Sequence, residues 1–162
     1  MKRIEVNPVG DREILISRDF DAPRDLVFDC WTKPHFVQQW LSGPDGWRFV
    51  SCEIDLREGG HYRYVWENQQ GERMGLTGQL KEVVRPEKLV SSELFDEDWT
   101  DGEALVTAIF SEDDASRTRL TQTVRYSSSE ARERALVSGM ADGMEAGFAR
   151  LDRMLTEMPK AS

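Results

Sequence analysis

Apolar and polar residues alternate along the first patterned segment and then change to a helical spacing. Glu13 to Phe20 follows the period of two that is typical of a β-strand, and Asp21-Ala22-Pro23 ends it. Asp21 is a candidate cap for the element that follows. Apolar side chains three or four residues apart then predict two short helices separated by Pro34: Leu26, Val27, Cys30, Trp31, Phe36, Val37, Trp40 and Leu41.

The middle of the chain predicts an antiparallel meander. Short apolar runs are separated by turn sequences such as Gly43-Pro44-Asp45-Gly46 and Glu58-Gly59-Gly60. Since strand side chains alternate, Tyr62, Tyr64 and Trp66 share one face, which we expect to point toward the C-terminal helix, while Arg63 points to solvent. The six predicted strands cover residues 48–55, 61–66, 74–84, 89–95, 103–110 and 117–126.

The last part of the chain predicts one long amphipathic helix of about 25 to 30 residues. Ser127 and Glu130 have the spacing of a capping box at its start. A helix of this length needs a broad apolar surface, and a curved antiparallel sheet offers one. The predicted fold class is therefore α+β: a curved antiparallel sheet of about seven strands around a long C-terminal helix, with two short helices after the first strand.

Length and charge limit the classes of partner. The 162 residues are enough for one domain, and neither a run of 18 apolar residues nor a signal peptide is present, so we expect a cytoplasmic protein. The chain has 21 basic and 30 acidic residues, for a formal net charge of -9, and its Lys and Arg residues are scattered. This distribution disfavours nucleic acid and membrane surfaces as partners.

The residues that usually carry metal or cofactor chemistry are few and isolated. Cys30 and Cys52 are far apart in sequence and are interpreted as reduced thiols. His35 and His61 have no second ligand at metal-binding spacing, so no metal site is predicted. Because phosphate-binding, dinucleotide-binding and nucleophile motifs are absent, we predict no cofactor and assign no catalytic residue.

Aromatic residues and helix glycines raise the question of a cavity. Gly139, Gly143 and Gly147 recur every four residues, either for close packing or to leave room for a ligand between helix and sheet. We expect Gly147 to be a packing glycine and Gly143 to border the cavity, with Trp99 as a lid over its mouth. A solid core is the alternative. The candidate cavity residues are Trp31, Phe36, Trp40, Tyr62, Tyr64, Trp66, Phe95, Trp99, Phe110, Met140, Gly143 and Met144.

Taken in order, several weak motifs resemble the START-like, helix-grip superfamily, also called SRPBCC. The resemblance covers residues 11–158 as one domain, with 1–10 and 159–162 as terminal extensions. Within that superfamily the chain is most similar to the branch named for the activator of the heat-shock protein 90 ATPase. The motifs are Phe20-Asp21-Ala22-Pro23, Val27-Phe28-Asp29-Cys30-Trp31-Thr32, Trp40, Glu58-Gly59-Gly60-His61-Tyr62-Arg63-Tyr64, Gly78-Gln79-Leu80-Lys81-Glu82-Val83, Pro86-Glu87-Lys88-Leu89-Val90, Thr118-Arg119-Leu120-Thr121 and Gly147-Phe148-Ala149-Arg150-Leu151-Asp152-Arg153-Met154-Leu155.

The resemblance implies a helix-grip fold with a cavity between sheet and helix, and three kinds of function. The first is binding of a small hydrophobic or amphipathic ligand in that cavity. The second is an enzyme of the polyketide cyclase or hydrolase type, for which His61, Glu93 or Arg63 are the candidate acid or base. The third is a co-chaperone-like role in the stress response, with a chaperone or a second copy of the chain as the contact.

Overall fold

The computed structural model describes residues 3–43, 45–114 and 116–158, and it has the predicted α+β helix-grip architecture. One antiparallel sheet of eight strands has the order β1-β2-β8-β7-β6-β5-β4-β3. The elements in chain order are β1 (Glu5–Val9), β2 (Glu13–Phe20), α1 (Arg24–Thr32), α2 (Pro34–Trp40), β3 (Arg48–Ile54), β4 (His61–Glu67), β5 (Arg73–Val84), β6 (Lys88–Phe95), β7 (Ala104–Asp114), β8 (Arg117–Arg125), α3 (Ser129–Leu136) and α4 (Met140–Glu157).

The eighth strand is β1, which lies in the segment predicted to be an N-terminal extension. It pairs with β2 from Glu5 opposite Ser17 to Val9 opposite Glu13. Four of its five residues are exposed, so its sequence lacks the apolar alternation that indicates a strand. As an edge strand it also tolerates Pro8, which has no N–H to donate. Residues 1–2 and 159–162 of the two predicted extensions, and Pro44 of the predicted turn, lie outside the described residues.

The predicted long helix is two helices, which corrects the expectation of a continuous one. α3 ends at Leu136, and Gly139 has a left-handed φ of 86° at the start of α4. Ser138 fits this break, since its Oγ accepts a hydrogen bond from the Met140 N–H at 3.3 Å. The cap of α3 is Ser128, which accepts from Ala131 N–H, instead of Ser127. The expectation that Asp21 caps the first helix is also corrected, because α1 begins after Pro23 and has no side-chain cap.

The main core lies between the concave face of the sheet, α1, α2 and the second half of α4. Its largest fully buried side chains include Phe20, Phe28, Phe110 and Phe148. Their rings meet edge to face, as for Phe20 and Phe148 with centroids 5.4 Å apart. The Trp40 indole N–H donates to the Cys30 carbonyl at 2.9 Å, so this buried polar group is satisfied.

Polar contacts fix α4 against the rest of the molecule. Arg18 of β2 is almost fully buried and forms a two-pronged ion pair with Asp152, at 2.8 and 2.6 Å. Arg150 donates to the carbonyls of Trp40 and Gly43. The C-terminal half of α4 is therefore held at both the sheet and α2. Among the described residues, none of the helices has the length and apolar character needed to span a membrane.

Candidate functional site

One row of residues on the concave face crosses four strands of the sheet, β4 to β7, and ends at the residue that directly follows β8; we call it the Glu93 row. Tyr62 pairs with Gly78, and Glu93 pairs with Ala104. Because Thr77 pairs with Leu94 and Leu80 with Ser91, Gly78 lies opposite Glu93. Because Leu105 pairs with Arg125, Ala104 lies opposite Tyr126. The Glu93 row is therefore Tyr62, Gly78, Glu93, Ala104 and Tyr126, with the carboxylate between two small residues and a tyrosine at each end.

The hydrogen-bond ladder between β5 and β6 is interrupted beside Glu93. The Tyr62 hydroxyl donates to the Ser92 carbonyl at 2.8 Å, and Gln79 N–H donates to Ser92 Oγ at 2.9 Å. The Tyr62 ring reaches Ser92 by crossing Gly78. A Cβ on Gly78 would lie 2.1 Å from the Ser92 carbonyl oxygen and 2.3 Å from the Tyr62 ring, so this position has room only for glycine.

Several residues on the concave face of the central strands are only partly buried, and we call four of them the central patch: Ser91, Glu93, Val106 and Gln122. Their strands, β6, β7 and β8, have a neighbour on each side. Lateral exposure at a sheet edge therefore does not account for their partial burial. Farther along the same face, Phe110 and Leu120 are 1% and 0% exposed under α4. The packing of the concave face is thus tight at one end and looser around Glu93.

Glu93 is the titratable group at the centre of this looser region. Burial raises the pKa of its carboxyl to about 7. Within the part of the chain that the structure describes, no side chain or N–H group donates a hydrogen bond to it and no cation pairs with it. Burial is the largest cause that raises the pKa of Tyr62 and of Tyr126, and the charge of the Glu93 carboxylate is the second. For Tyr64 the causes that raise the pKa, largest first, are burial, the charge of Cys52 and the charge of Glu93. The carboxylate therefore lies among three neutral tyrosines.

Apolar side chains from the 96–103 loop and α4 adjoin the Glu93 row. Trp99 lies 5.7 Å from Phe95, centroid to centroid, and packs on the cluster that contains Tyr126. Its carbonyl accepts from Arg134 of α3, which ties the loop to that helix. The Tyr126 hydroxyl contacts the Met140 sulfur at 3.8 Å. Trp99 is thus folded onto the protein, as the lid hypothesis requires, although closure over a ligand stays a prediction.

The twelve predicted cavity residues fall into separate places. Trp31, Trp40 and Phe110 belong to the main core around Phe148, where the Trp31 and Trp40 centroids are 4.6 Å apart. Phe36 packs at the margin of that core. A second group packs on β4 and β5: Tyr62, Tyr64, Trp66 and Phe95. A third group lies near α3 and the start of α4: Trp99, Met140 and Met144.

The helix glycines differ in their surroundings. A Cβ on Gly147 would lie 3.5 Å from the Trp40 carbonyl oxygen, which is ordinary contact distance, and Gly147 is buried. Gly143 is exposed, and a Cβ there would meet nothing within 4 Å. Gly147 therefore lies at a packed contact with α2, whereas the position of Gly143 is open.

The three acid–base candidates are separated by the sheet. His61 is exposed at the start of β4. Arg63 lies on the opposite face from Tyr62, where it binds Asp96 at 2.6 and 2.7 Å and Thr77 Oγ1 at 2.8 Å. Glu93 is on the concave face. Of the three, Glu93 is the one on the concave face, and burial raises its pKa to about 7.

Other chemistry-bearing groups contribute little to the site. Burial raises the pKa of Cys30 to about 12 and that of Cys52 to about 11, so both are protonated thiols at neutral pH. Over the described ranges, no cluster of three or more His, Cys, Asp and Glu residues is arranged to hold a metal ion. A surface cleft of about 760 Å³ lies between β1, β2, β8 and α4, with Arg119 and Asp152 in its wall, away from the predicted cavity residues.

The sequence matches the family described as Activator of Hsp90 ATPase homolog 1-like protein over residues 21–156, and the chain belongs to that family. This confirms the branch of the helix-grip superfamily that the motifs indicated. A search of curated proteins found no match.

Solved structures agree with the fold over almost the whole chain. A crystal structure of a Rhodobacter sphaeroides protein is 33% identical, covers 96% of this chain and 99% of its own, and has a TM-score of 0.91. A Mycobacterium smegmatis protein is 25% identical, with coverages of 96% and 99% and a TM-score of 0.78. A Nitrosomonas europaea protein at 20% identity, with coverages of 93% and 97% and a TM-score of 0.80, supports the fold alone.

Proposed function

We propose that this protein binds a small amphipathic molecule on the concave face of the sheet, beneath the first turns of α4. The observation that carries the proposal is the partial exposure of the central patch in the middle of an eight-stranded sheet. In a solid core, Val106 and Gln122 would be covered like Phe110 and Leu120. Burying apolar ligand surface there contributes about 25 cal/mol per Å².

The polarity of the site favours an amphipathic ligand over a purely apolar one. Phe95, Trp99, Met140 and Met144 offer apolar contacts, and methionine adapts its shape to irregular ligands. Glu93 is a polar group with no protein partner among the described residues. A ligand with one polar group placed at Glu93 would satisfy that carboxyl and bury its apolar part against the aromatic and methionine side chains.

The test uses neighbouring residues on opposite faces of β7. Val106 is in the central patch, whereas the side chain of Leu105 is exposed on the other face. Titration of the protein with the uncharged fluorescent dye Nile red should show binding that Val106→Phe weakens at least fivefold by filling the space, and that Leu105→Phe leaves unchanged. Absence of dye binding, or equal effects of the two substitutions, would contradict the proposal.

Glu93 also favours a second candidate function, acid–base catalysis on a bound polyketide-like compound. A carboxyl with a pKa of about 7 exchanges protons efficiently near neutral pH, which general acid–base catalysis requires. The experiment is the cyclisation of a model polyketone by the unmodified protein and by Glu93→Gln. Turnover that depends on Glu93 and rises with its ionisation would support catalysis. Equal rates for the unmodified protein and Glu93→Gln would contradict catalysis by Glu93 and would be consistent with a binding function only.

A further inference from the structure

We propose that the polar group of the ligand is an organic cation, such as a quaternary or protonated amine, which pairs with the Glu93 carboxylate inside a surround of Tyr62, Tyr64 and Tyr126. This inference rests on the proposed function and adds the chemical class of the ligand. It comes from the geometry of the concave face, where Glu93 shares its row with Tyr62 and Tyr126, and where the ring centroids of Tyr62 and Tyr64 are 5.0 Å apart.

The charges around Glu93 explain why the ligand has to bring the positive charge. From β4 and the end of β8, the titratable groups near Glu93 are the three tyrosines, which stay neutral because their pKa values are raised. From β3, Cys52 is a protonated thiol. From α4, Met140 and Met144 carry no charge. An isolated interior carboxylate is costly, and an ion pair with the ligand removes part of that cost.

Two arginines of neighbouring elements are paired with other acids. Arg63, on the far face of β4, is paired with Asp96. Arg134 of α3 is paired with Asp101 and also donates to the Trp99 carbonyl. Neither is placed to neutralise Glu93, so the described residues leave this carboxylate available to a ligand.

Aromatic rings favour the same class of ligand. The face of a tyrosine ring carries negative electrostatic potential, and it attracts ammonium groups within about 6 Å. Quaternary ammonium groups cannot donate strong hydrogen bonds, so a carboxylate with aromatic neighbours is a more suitable site for them than a cluster of carbonyls. A carboxylate ligand would instead place a second negative charge beside Glu93, which is unfavourable.

The charge of the chain acts in the same direction over a longer range. The 96–103 loop, which carries Trp99, has five acidic residues: Asp96, Glu97, Asp98, Asp101 and Glu103. The formal net charge of the whole chain is -9. Such a surface concentrates cations and repels anionic amphiphiles at low ionic strength.

The experiment compares three ligands that share a phenylpropyl chain and differ in the end group, by isothermal titration calorimetry. They are 3-phenylpropyl-trimethylammonium, its uncharged carbon analogue in which a tert-butyl group replaces the ammonium, and 4-phenylbutanoate. At pH 8 we expect the cation to bind at least tenfold more tightly than the neutral analogue, and the carboxylate more weakly than both. Equal affinities for cation and neutral analogue would overturn the inference.

The pH dependence identifies the group that pairs with the cation. With a Glu93 pKa of about 7, affinity for the permanently charged cation should fall about tenfold from pH 8 to pH 6, while affinity for the neutral analogue stays constant. Glu93→Gln should remove both the preference for the cation and its pH dependence. The matched control is Glu97→Gln, an exposed loop acid whose removal should change neither.

The outcomes separate this inference from the proposed function. If the neutral analogue binds as well as the cation and Val106→Phe weakens both, the inferred preference for a cationic ligand is wrong. The proposed binding of a ligand on the concave face then still stands. If none of the three ligands binds, and Nile red also does not bind, the proposed function itself is wrong. If Glu93→Gln fails to fold, the pH dependence of the unmodified chain decides between cation pairing and its absence.

Discussion

The hydroxyl of Tyr62 on β4 donates a 2.8 Å hydrogen bond to the carbonyl of Ser92 on β6, across the intervening strand β5. This contact is possible because Gly78 of β5 has no side chain beneath the ring. It occupies a backbone acceptor where the regular ladder is interrupted, and it places the Tyr62 ring next to Glu93. One side chain thus helps to satisfy the sheet and to form the wall of the proposed ligand site.

Tyr62→Phe should destabilise the protein by about 1–3 kcal/mol, because the buried Ser92 carbonyl would lose its donor while the ring still fills its place. The measurement is urea denaturation followed by fluorescence. Tyr64→Phe is the matched control on the same strand, since its hydroxyl makes no hydrogen bond among the described residues, and its effect should be smaller. Equal destabilisation by the two substitutions would show that the Tyr62 hydrogen bond contributes little.

Glu93→Gln should make the protein more stable at pH 8 than the unmodified chain. The carboxyl pKa is about 7 in the folded protein and 4.5 ordinarily, so the folded state binds the proton more tightly. As the pH rises from 4.5 through about 7, ionisation of Glu93 therefore lowers the free energy of unfolding of the unmodified chain. We expect a loss of roughly 1–3 kcal/mol, because the side chain is only partly buried.

Thermal or chemical melts of both proteins between pH 5 and pH 8 measure this difference. The two stability curves should nearly meet at pH 5 and separate toward pH 8. The stability curve of Glu97→Gln should follow that of the unmodified chain, because Glu97 is exposed. Parallel curves for Glu93→Gln and the unmodified chain would mean that Glu93 ionises as freely in the folded state as in the unfolded one.

Asp152→Asn should destabilise the fold by about 3 kcal/mol. The Arg18 side chain is 2% exposed, and removing its anionic partner leaves a buried positive charge. The comparison is Asp55→Asn, which breaks the exposed pair with Arg57 and should cost less than about 1 kcal/mol. Chemical denaturation of both variants gives the two values, and similar small losses would show that Arg18 finds another partner.

The sequence predicted the elements whose pattern is local and regular. The alternation of β4 places Tyr62 and Trp66 in the interior and Arg63 on the other face, as expected from the period of two. β1 was missed because its side chains are mostly exposed and it is defined by its hydrogen bonds to β2. The break between α3 and α4 was signalled by Gly139, but helix periodicity continues on both sides and conceals it.

The Glu93 row was beyond sequence reasoning for a different reason. Gly78, Glu93, Ala104 and Tyr126 are brought together by the register of four antiparallel strands, and register depends on turns and bulges far from these residues. Glu93 itself was among the acid–base candidates, on the basis of its residue type. A correct strand alignment would have shown the small residues on either side of it.

The last prediction concerns the two glycines of α4, whose surroundings predict opposite effects of the same substitution. At Gly147 a larger side chain meets the Trp40 carbonyl and ring, and the backbone of α2 cannot easily move because Arg150 is bonded to that carbonyl. Gly147→Leu should therefore overpack the contact and destabilise the protein by about 1–3 kcal/mol.

At Gly143 no atom lies within 4 Å of an added Cβ, so leucine meets no clash. Gly143→Leu should gain helix propensity, up to about 1 kcal/mol, and any contact with the apolar region near Met144 would add to that gain. Thermal melts should show a lower Tm for Gly147→Leu and an unchanged or higher Tm for Gly143→Leu. A large fall in Tm for Gly143→Leu would contradict open space beside the first turns of α4. Because the proposed ligand lies beneath those turns, Gly143→Leu should also alter Nile red affinity, and Gly143→Ala, with a smaller side chain, should do so less.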